Sequence, residues 1–176
     1  LTKTRPTVIE TIHRAYLEAN ADIIETNTFG ATSLVLDEYE LGHLALELNI
    51  ESAKIAKHAA EQFSTPSKPR YVAGSMGPTT KTLSVTGGTS FDTLVDTYEE
   101  QARGLLIGGV DLLLLETSQD MLNVKAGFLG IKKAFETVGK EVPLMISGTI
   151  EPMGTTLAGQ DIEAFYISLE HMKPIS

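Results

Sequence analysis

Four short apolar runs, each bounded by turn residues and each followed by a helical pattern, constrain this chain more than any other feature. They are ADIIETNTFG (21–30), RYVAGSMGPT (70–79), DLLLLETSQD (111–120) and PLMISGTIEP (143–152). All are too short for helices and rich in residues that suit buried strands. Between them apolar residues recur at steps of three and four. Pro6 suits an early helical position, because its fixed φ is preorganised and no amide is missed there. Ile9, Ile12, Tyr16 and Ala19 then share a face, which predicts a helix over 6–19. Leu44, Leu48, Ser52, Ile55 and Ala59 predict another within 41–63, and Leu94, Tyr98, Ala102 and Leu105 one that starts at Phe91. The strongest stripe runs Met121, Val124, Phe128, Ile131, Phe135, Val138, and Ile162, Phe165 and Leu169 mark a last helix over 160–172. The order αβαβαβαβα implies an α/β fold with a parallel sheet and right-handed crossovers. A barrel wall and a doubly wound sheet both satisfy it.

Composition narrows the function. The 176 residues, 42% hydrophobic and 21% charged, suffice for one domain with a real core. A formal charge of −9 argues against nucleic acid, whose binders present a basic face to phosphate. Small molecules or other proteins are the expected partners. No apolar stretch reaches the roughly 18 residues of a membrane span, and the start, LTKTR, lacks the apolar core of a signal peptide, so a cytoplasmic protein is expected. The chain has no cysteine, which excludes disulfides and thiolate metal sites within it. His13, His43, His58 and His171 lie in helical patterns, none at i, i+4 from another, and read as solvated helix faces rather than metal ligands. Leu1 is not methionine and HMKPIS breaks off after a helix, so the chain reads as cut at both ends.

In parallel α/β folds ligands bind beyond the carboxyl ends of the strands. The run DLLLLET ends there in Glu116. Alternation puts Leu112, Leu114 and Glu116 on one face and Leu113 with Leu115 on the other, so the carboxylate crowns a buried face at its rim. It can bind an ammonium group, act as a base, hold a metal, or simply pair with a neighbouring cation or amide. Glu25 is its counterpart in the related phrase ADIIET, followed by Thr26, Asn27, Thr28 and Phe29, which offer hydrogen-bonding groups and an aromatic wall. The glycine-rich AGSMGPTTKTLSVTGGTSF (73–91) lacks the Gly-Lys-Ser/Thr triplet of a nucleotide loop and reads as a lid or an excursion. Thr117, Ser118 and Asp120 are candidate caps of the following helix, whose free amides would favour a substrate carboxylate.

The phrases RAYLEANADIIETNTFGAT, VAGSMGPTTKTLSVTGG, EQARGLLIGGVDLLLLET and ISGTIEPMGTTLAGQDIEAF closely resemble the homocysteine-binding domain of cobalamin-dependent methionine synthases, of the homocysteine S-methyltransferase family. The resemblance implies a partial (β/α)8 TIM barrel, with strands 2 to 5 and their helices, residues 1–176 being the central part of the domain. It implies methyl transfer to homocysteine to form methionine, with methylcobalamin as donor and a zinc-activated homocysteine thiolate as nucleophile. Zinc in that family is held by three cysteine thiolates, all absent here, so the fragment alone is expected to bind neither zinc nor cobalamin and to be inactive. Homocysteine and the cobalamin- and folate-binding domains of a longer chain are the implied partners. Carried over by position, Glu116 grips the homocysteine ammonium, Thr26, Phe29 and Asn27 line the pocket, Gly74, Ser75 and Met76 offer backbone or wall contacts, and Asp120 orients neighbours. Asn20 stands where relatives often have glycine, and is the next-best residue for a left-handed helix end. SQDMLN after Glu-Thr departs from the usual pattern and bears on fine specificity. A betaine- or S-methylmethionine-dependent methyltransferase, and a zinc-free binding half barrel, are the alternatives.

Overall fold

The computed structural model describes residues 1–176. Four strands alternate with helices: α1 (Pro6–Glu18), β1 (Ile23–Glu25), α2 (Ser33–Leu36), α3 (Ala45–Phe63), β2 (Tyr71–Met76), α4 (Phe91–Gly108), β3 (Leu112–Ser118), α5 (Met121–Val138), β4 (Leu144–Gly148) and α6 (Ile162–Leu169). Short 3₁₀ turns over Asp37–Tyr39, Gly42–Leu44 and Glu170–Met172 complete the order. No helix is long and apolar enough to cross a membrane.

All strand pairs are parallel and their spatial order is β1-β2-β3-β4. A doubly wound sheet reverses direction at a switch point; this one never does, so the winding is that of a barrel wall. Consecutive helices accordingly pack side by side, α1 on α3, α3 on α4 and α4 on α5. The core lies between them and one face of the sheet, where Ile24, Val72, Met76, Leu113 and Leu115 meet Leu94, Tyr98, Leu105, Val124 and Ile131.

Helix ends follow local chemistry. Asn20 turns α1 toward β1 at φ 78°, and Gly109 and Gly139 end α4 and α5 at φ 95° and 71°, the left-handed region that glycine and then asparagine tolerate best. Asp22 and Asp111, which open the two related phrases, serve the amino ends of the strands: Asp22 pairs with Arg70 at 3.3 Å, and Asp111 with Lys57 at 2.8 Å while also accepting from the Val72 amide at 2.7 Å. That half of the repeat is structural.

Two helical faces differ from the periodicity. In α1 the buried residues are Ile9, His13 and Leu17, whereas Ile12 and Tyr16 are exposed. His13 is therefore not on a solvated face; burial pushes its pKa down, against a smaller upward pull from Glu10. His43, His58 and His171 are exposed as expected. In α3 Ser52 and Ala59 of the expected stripe are buried, but the rest of the buried face is Ala45, Asn49, Ala53, Ala56 and Ala60, with Leu44, Leu48 and Ile55 only half-buried. The reason is close approach to α4: a Cβ on Gly108 would stand 2.4 Å from Ala53 Cβ, and one on Gly104 2.8 Å from Asn49 Cβ. A crossing built on small residues hides its own signal, because the largest apolar side chains no longer mark the inside.

The long segment from Gly77 to Ser90 is fastened rather than free. Asp120 caps α5 through the Leu122 amide at 2.9 Å, and the same carboxylate accepts from the Ser84 amide at 2.7 Å and the Ser84 hydroxyl at 3.0 Å. Asn123 accepts from the Leu83 amide at 3.0 Å, and Tyr98 donates to the Gly77 carbonyl at 3.1 Å.

Asp120→Ala is expected to cost about 1–2 kcal/mol, the loss of a cap, in a denaturation curve, and to speed hydrogen exchange at Ser84. Gly130→Ala, where a Cβ would meet Val95 O at 2.6 Å and Glu99 N at 2.8 Å, is expected to cost about 1–2 kcal/mol by the same measurement, since backbone cannot yield as a side chain would.

Candidate functional site

The helix-free face of the sheet carries the candidate site. In β3, Leu113 and Leu115 are 0% and 2% exposed against the helices, which sends Leu112, Leu114 and Glu116 to the opposite face. Glu116 is half-buried at the carboxyl end of the strand. The ladder to β4 holds from Leu113↔Leu144 to Leu115↔Ile146, slips, and resumes at Ser118↔Gly148. Three steps on β3 thus match two on β4, which is a β-bulge. Its extra residue places Thr117 at φ 58°, an unfavourable region for a β-branched side chain. The Thr117 amide donates to Ser147 Oγ at 3.0 Å. Glu116 and Thr117 both lie within the bulge, between the two registered pairs.

Ser75, 2% exposed, donates its hydroxyl to Glu116 Oε1 at 2.6 Å. Thr26 and Thr28 hold it in place. The Ser75 amide donates to Thr26 Oγ1 at 3.0 Å, and Thr28 Oγ1 donates to the Ser75 carbonyl at 2.7 Å. Because Thr28 spends its proton on that carbonyl, its 2.6 Å contact with Thr26 must be donated by Thr26. The result is a closed ring that clamps both backbone groups of Ser75. Thr26 therefore acts on the site through Ser75, and Thr28, one of the hydrogen-bonding residues that follow Glu25, completes the ring.

The remaining positions divide. Phe29 is 45% exposed and its ring lies on Gly77, where an added Cβ would come within 2.8 Å of it; it walls the start of the β2–α4 segment. Asn27 is exposed and lines, with Glu25 and Thr26, an opening of about 460 Å³ between β1 and α1 whose other walls are Ile9, Ile12, His13, Tyr16, Ile23 and Ile24. Gly74 and Met76 do not reach the mouth through their side-chain positions: a Cβ on Gly74 would touch Leu105 and Leu113 at 3.0 Å, and Met76 is fully buried in the core. Alternation explains this, since both stand on the face opposite Ser75. Asp120, 3% exposed, is consumed by its own helix and by Ser84. Its carboxylate fills the helix start where the sequence alone left room for a substrate carboxylate.

Glu25, at the end of β1, is exposed on the same face as Glu116. Its pKa is raised, first by partial burial and then by the negative charge of Glu116. The arrangement presents acceptors and negative charge at the carboxyl ends of β1, β2 and β3, which suits a cationic group small enough to sit among them. A metal is less well served. The chain has no cysteine, and no three His, Cys, Asp or Glu side chains converge, so its residues do not fit a three-thiolate zinc site.

Known proteins share this fold. The metallated form of the homocysteine methyltransferase MmuM from Escherichia coli superposes with a TM-score of 0.81 at 19% identity, over 97% of this chain and 61% of that one. The oxidised form gives 0.81 at 19% over 98% and 61%, and the apo form 0.70 at 20% over 95% and 58%. At such identity the likeness shows the fold, a partial (β/α)8 barrel, and the chain spans about three fifths of those proteins' length. The homocysteine S-methyltransferase family model matches residues 1–176, and the chain belongs to that family.

Proposed function

We propose that this chain forms part of the homocysteine pocket of a methyltransferase that converts homocysteine to methionine with methylcobalamin as donor. The observation that carries the reading is the Ser75–Glu116 pair, 2.6 Å apart at the carboxyl end of a parallel sheet. Membership of the family supports the substrate class. The choice of methylcobalamin rests on the long phrases shared with cobalamin-dependent methionine synthases, and a link to cobalamin- and folate-binding domains goes with it.

The residues of this chain bind and orient. Glu116 is a carboxylate on a parallel strand, with one oxygen engaged by Ser75 and the other available to an ammonium N–H. The threonine ring fixes the backbone of Ser75 and the bond to Glu116 fixes its hydroxyl, so the contact is organised before substrate arrives. The bulge at Thr117 adds a strained φ directly after the contact. Backbone strain of this kind persists where surrounding structure over-determines it, and costs roughly 1–3 kcal/mol.

For Glu116→Gln in the protein that carries this chain, homocysteine affinity is expected to fall by about 1.5–3 kcal/mol, the value of a charge-assisted hydrogen bond. The thermal midpoint should be unchanged. Calorimetric titration checks this, and equal affinity would remove Glu116 from the site. Thr117→Gly is expected to raise stability by about 1 kcal/mol, as the left-handed residue loses its Cβ penalty, while homocysteine affinity falls because the bulge no longer holds Glu116 in one orientation. Denaturation and titration of the same variant separate the two effects.

A further inference from the structure

The inner face of the sheet places one residue in the site that the functional reading does not yet use. Registry sets Glu25 opposite Ala73 and Ala73 opposite Leu112; one step higher, Ser75 stands opposite Leu114 and Leu114 opposite Met145. Glu116 follows Leu114 on the same face, one step higher again. Glu25, Ser75 and Glu116 thus lie along one diagonal across β1, β2 and β3, with only the methyl of Ala73 beside Glu25 in its row. Ser75 gives its single proton to Glu116, which leaves its oxygen lone pairs as acceptors.

We propose that Glu25 is a second substrate carboxylate, and that Glu25, Ser75 Oγ and Glu116 together form a three-acceptor cradle for the α-ammonium of the amino-acid substrate. An ammonium has three N–H donors, and the diagonal offers three acceptors from three adjacent strands. The proposal rests on the homocysteine reading and names the group recognised and a residue that recognises it. One further observation supports it. The raised pKa of Glu25 records repulsion by Glu116 as well as burial, and a cation between them relieves it.

The groups around Glu25 define its charge state. Glu116 on β3 is the charged group that acts on it; His13 and Tyr16 on α1 line its opening, and Tyr71 on β2 stands opposite Ile23, one step below. His13 is held toward its neutral form by burial and supplies no counter-charge. Protonation of Glu25 removes an acceptor and a charge, so ammonium affinity should rise as pH climbs through its raised pKa.

The test compares L-homocysteine with 4-mercaptobutyrate, which lacks the amino group, by titration of the protein carrying this chain and of its Glu25→Gln, Glu116→Gln and double variants. Expected for Glu25→Gln is a roughly ten- to hundred-fold loss of homocysteine affinity, unchanged 4-mercaptobutyrate affinity and loss of the acid-side pH dependence. The double variant should lose less than the product of the single losses, because the two carboxylates share one cation. Homocysteine binding indifferent to Glu25→Gln overturns the cradle alone. An equal loss for both ligands also overturns it, since that marks a structural role or a misfolded variant. A wild-type protein that binds neither ligand overturns the homocysteine reading and the cradle with it.

Discussion

A parallel sheet wound in one direction can bury only one of its faces under its own crossover helices, and the whole molecule is arranged around that asymmetry. The strand order never reverses, so α1, α3, α4 and α5 line up in a single layer. The layer is drawn tight by small residues: Gly104 and Gly108 of α4 admit Asn49 and Ala53 of α3, and Gly130 of α5 lies on the backbone of α4 at Val95 and Glu99. Hydrophobic burial on that side is what holds the strands. The opposite face is thereby released from the core and can carry charge and hydrogen-bonding groups at its upper rim.

Placing two glutamates on that rim has an electrostatic consequence. A like charge nearby raises a carboxyl group's proton affinity, and the effect of Glu116, two strands away, appears at Glu25. Glu116 is steadied by the Ser75 hydroxyl; Glu25 has no such donor on the inner face. A cation between the two carboxylates would offset their repulsion, whereas the threonine ring under Ser75 is closed by its own hydrogen bonds. Geometry is fixed in advance and charge is left uncompensated, which is the division expected of a binding site that selects for an ammonium group.

The fold was legible from period and punctuation. Helical stripes placed α5 at Met121–Val138 and the start of α4 at Phe91, Asn20 was readable as a left-handed helix end, and the four apolar runs became the four strands. What escaped was whatever depends on a neighbour. The face of α1 could not be read because Ile12 and Tyr16 are as apolar as the residues that are buried, and His13 is as polar as one that is not. The face of α3 is made of alanines chosen by the glycines of α4, which are 55 or so positions away in the sequence. In the site, the resemblance pointed to Gly74, Ser75 and Met76 as a block, and strand alternation alone would have kept only Ser75. Glu25 was visible as a twin of Glu116, but its membership of the same diagonal needed the register of two ladders.

Period two therefore does more here than make strands. On β2, Val72, Gly74 and Met76 face the helices and Ala73 and Ser75 the opposite side; on β3, Leu113 and Leu115 answer to the core and Leu114 and Glu116 stand on the helix-free face. Substitutions on the first set act through packing, and those on the second through recognition, with little crosstalk along a strand because successive side chains never share a face. The bulge at Thr117 is where that separation breaks down. One extra residue shifts the register between Leu115 and Ser118, and the bond from Ser75 joins alternation in keeping Glu116 on the face of Leu114. The strained φ falls where the sheet stops being structure and starts being surface for a ligand.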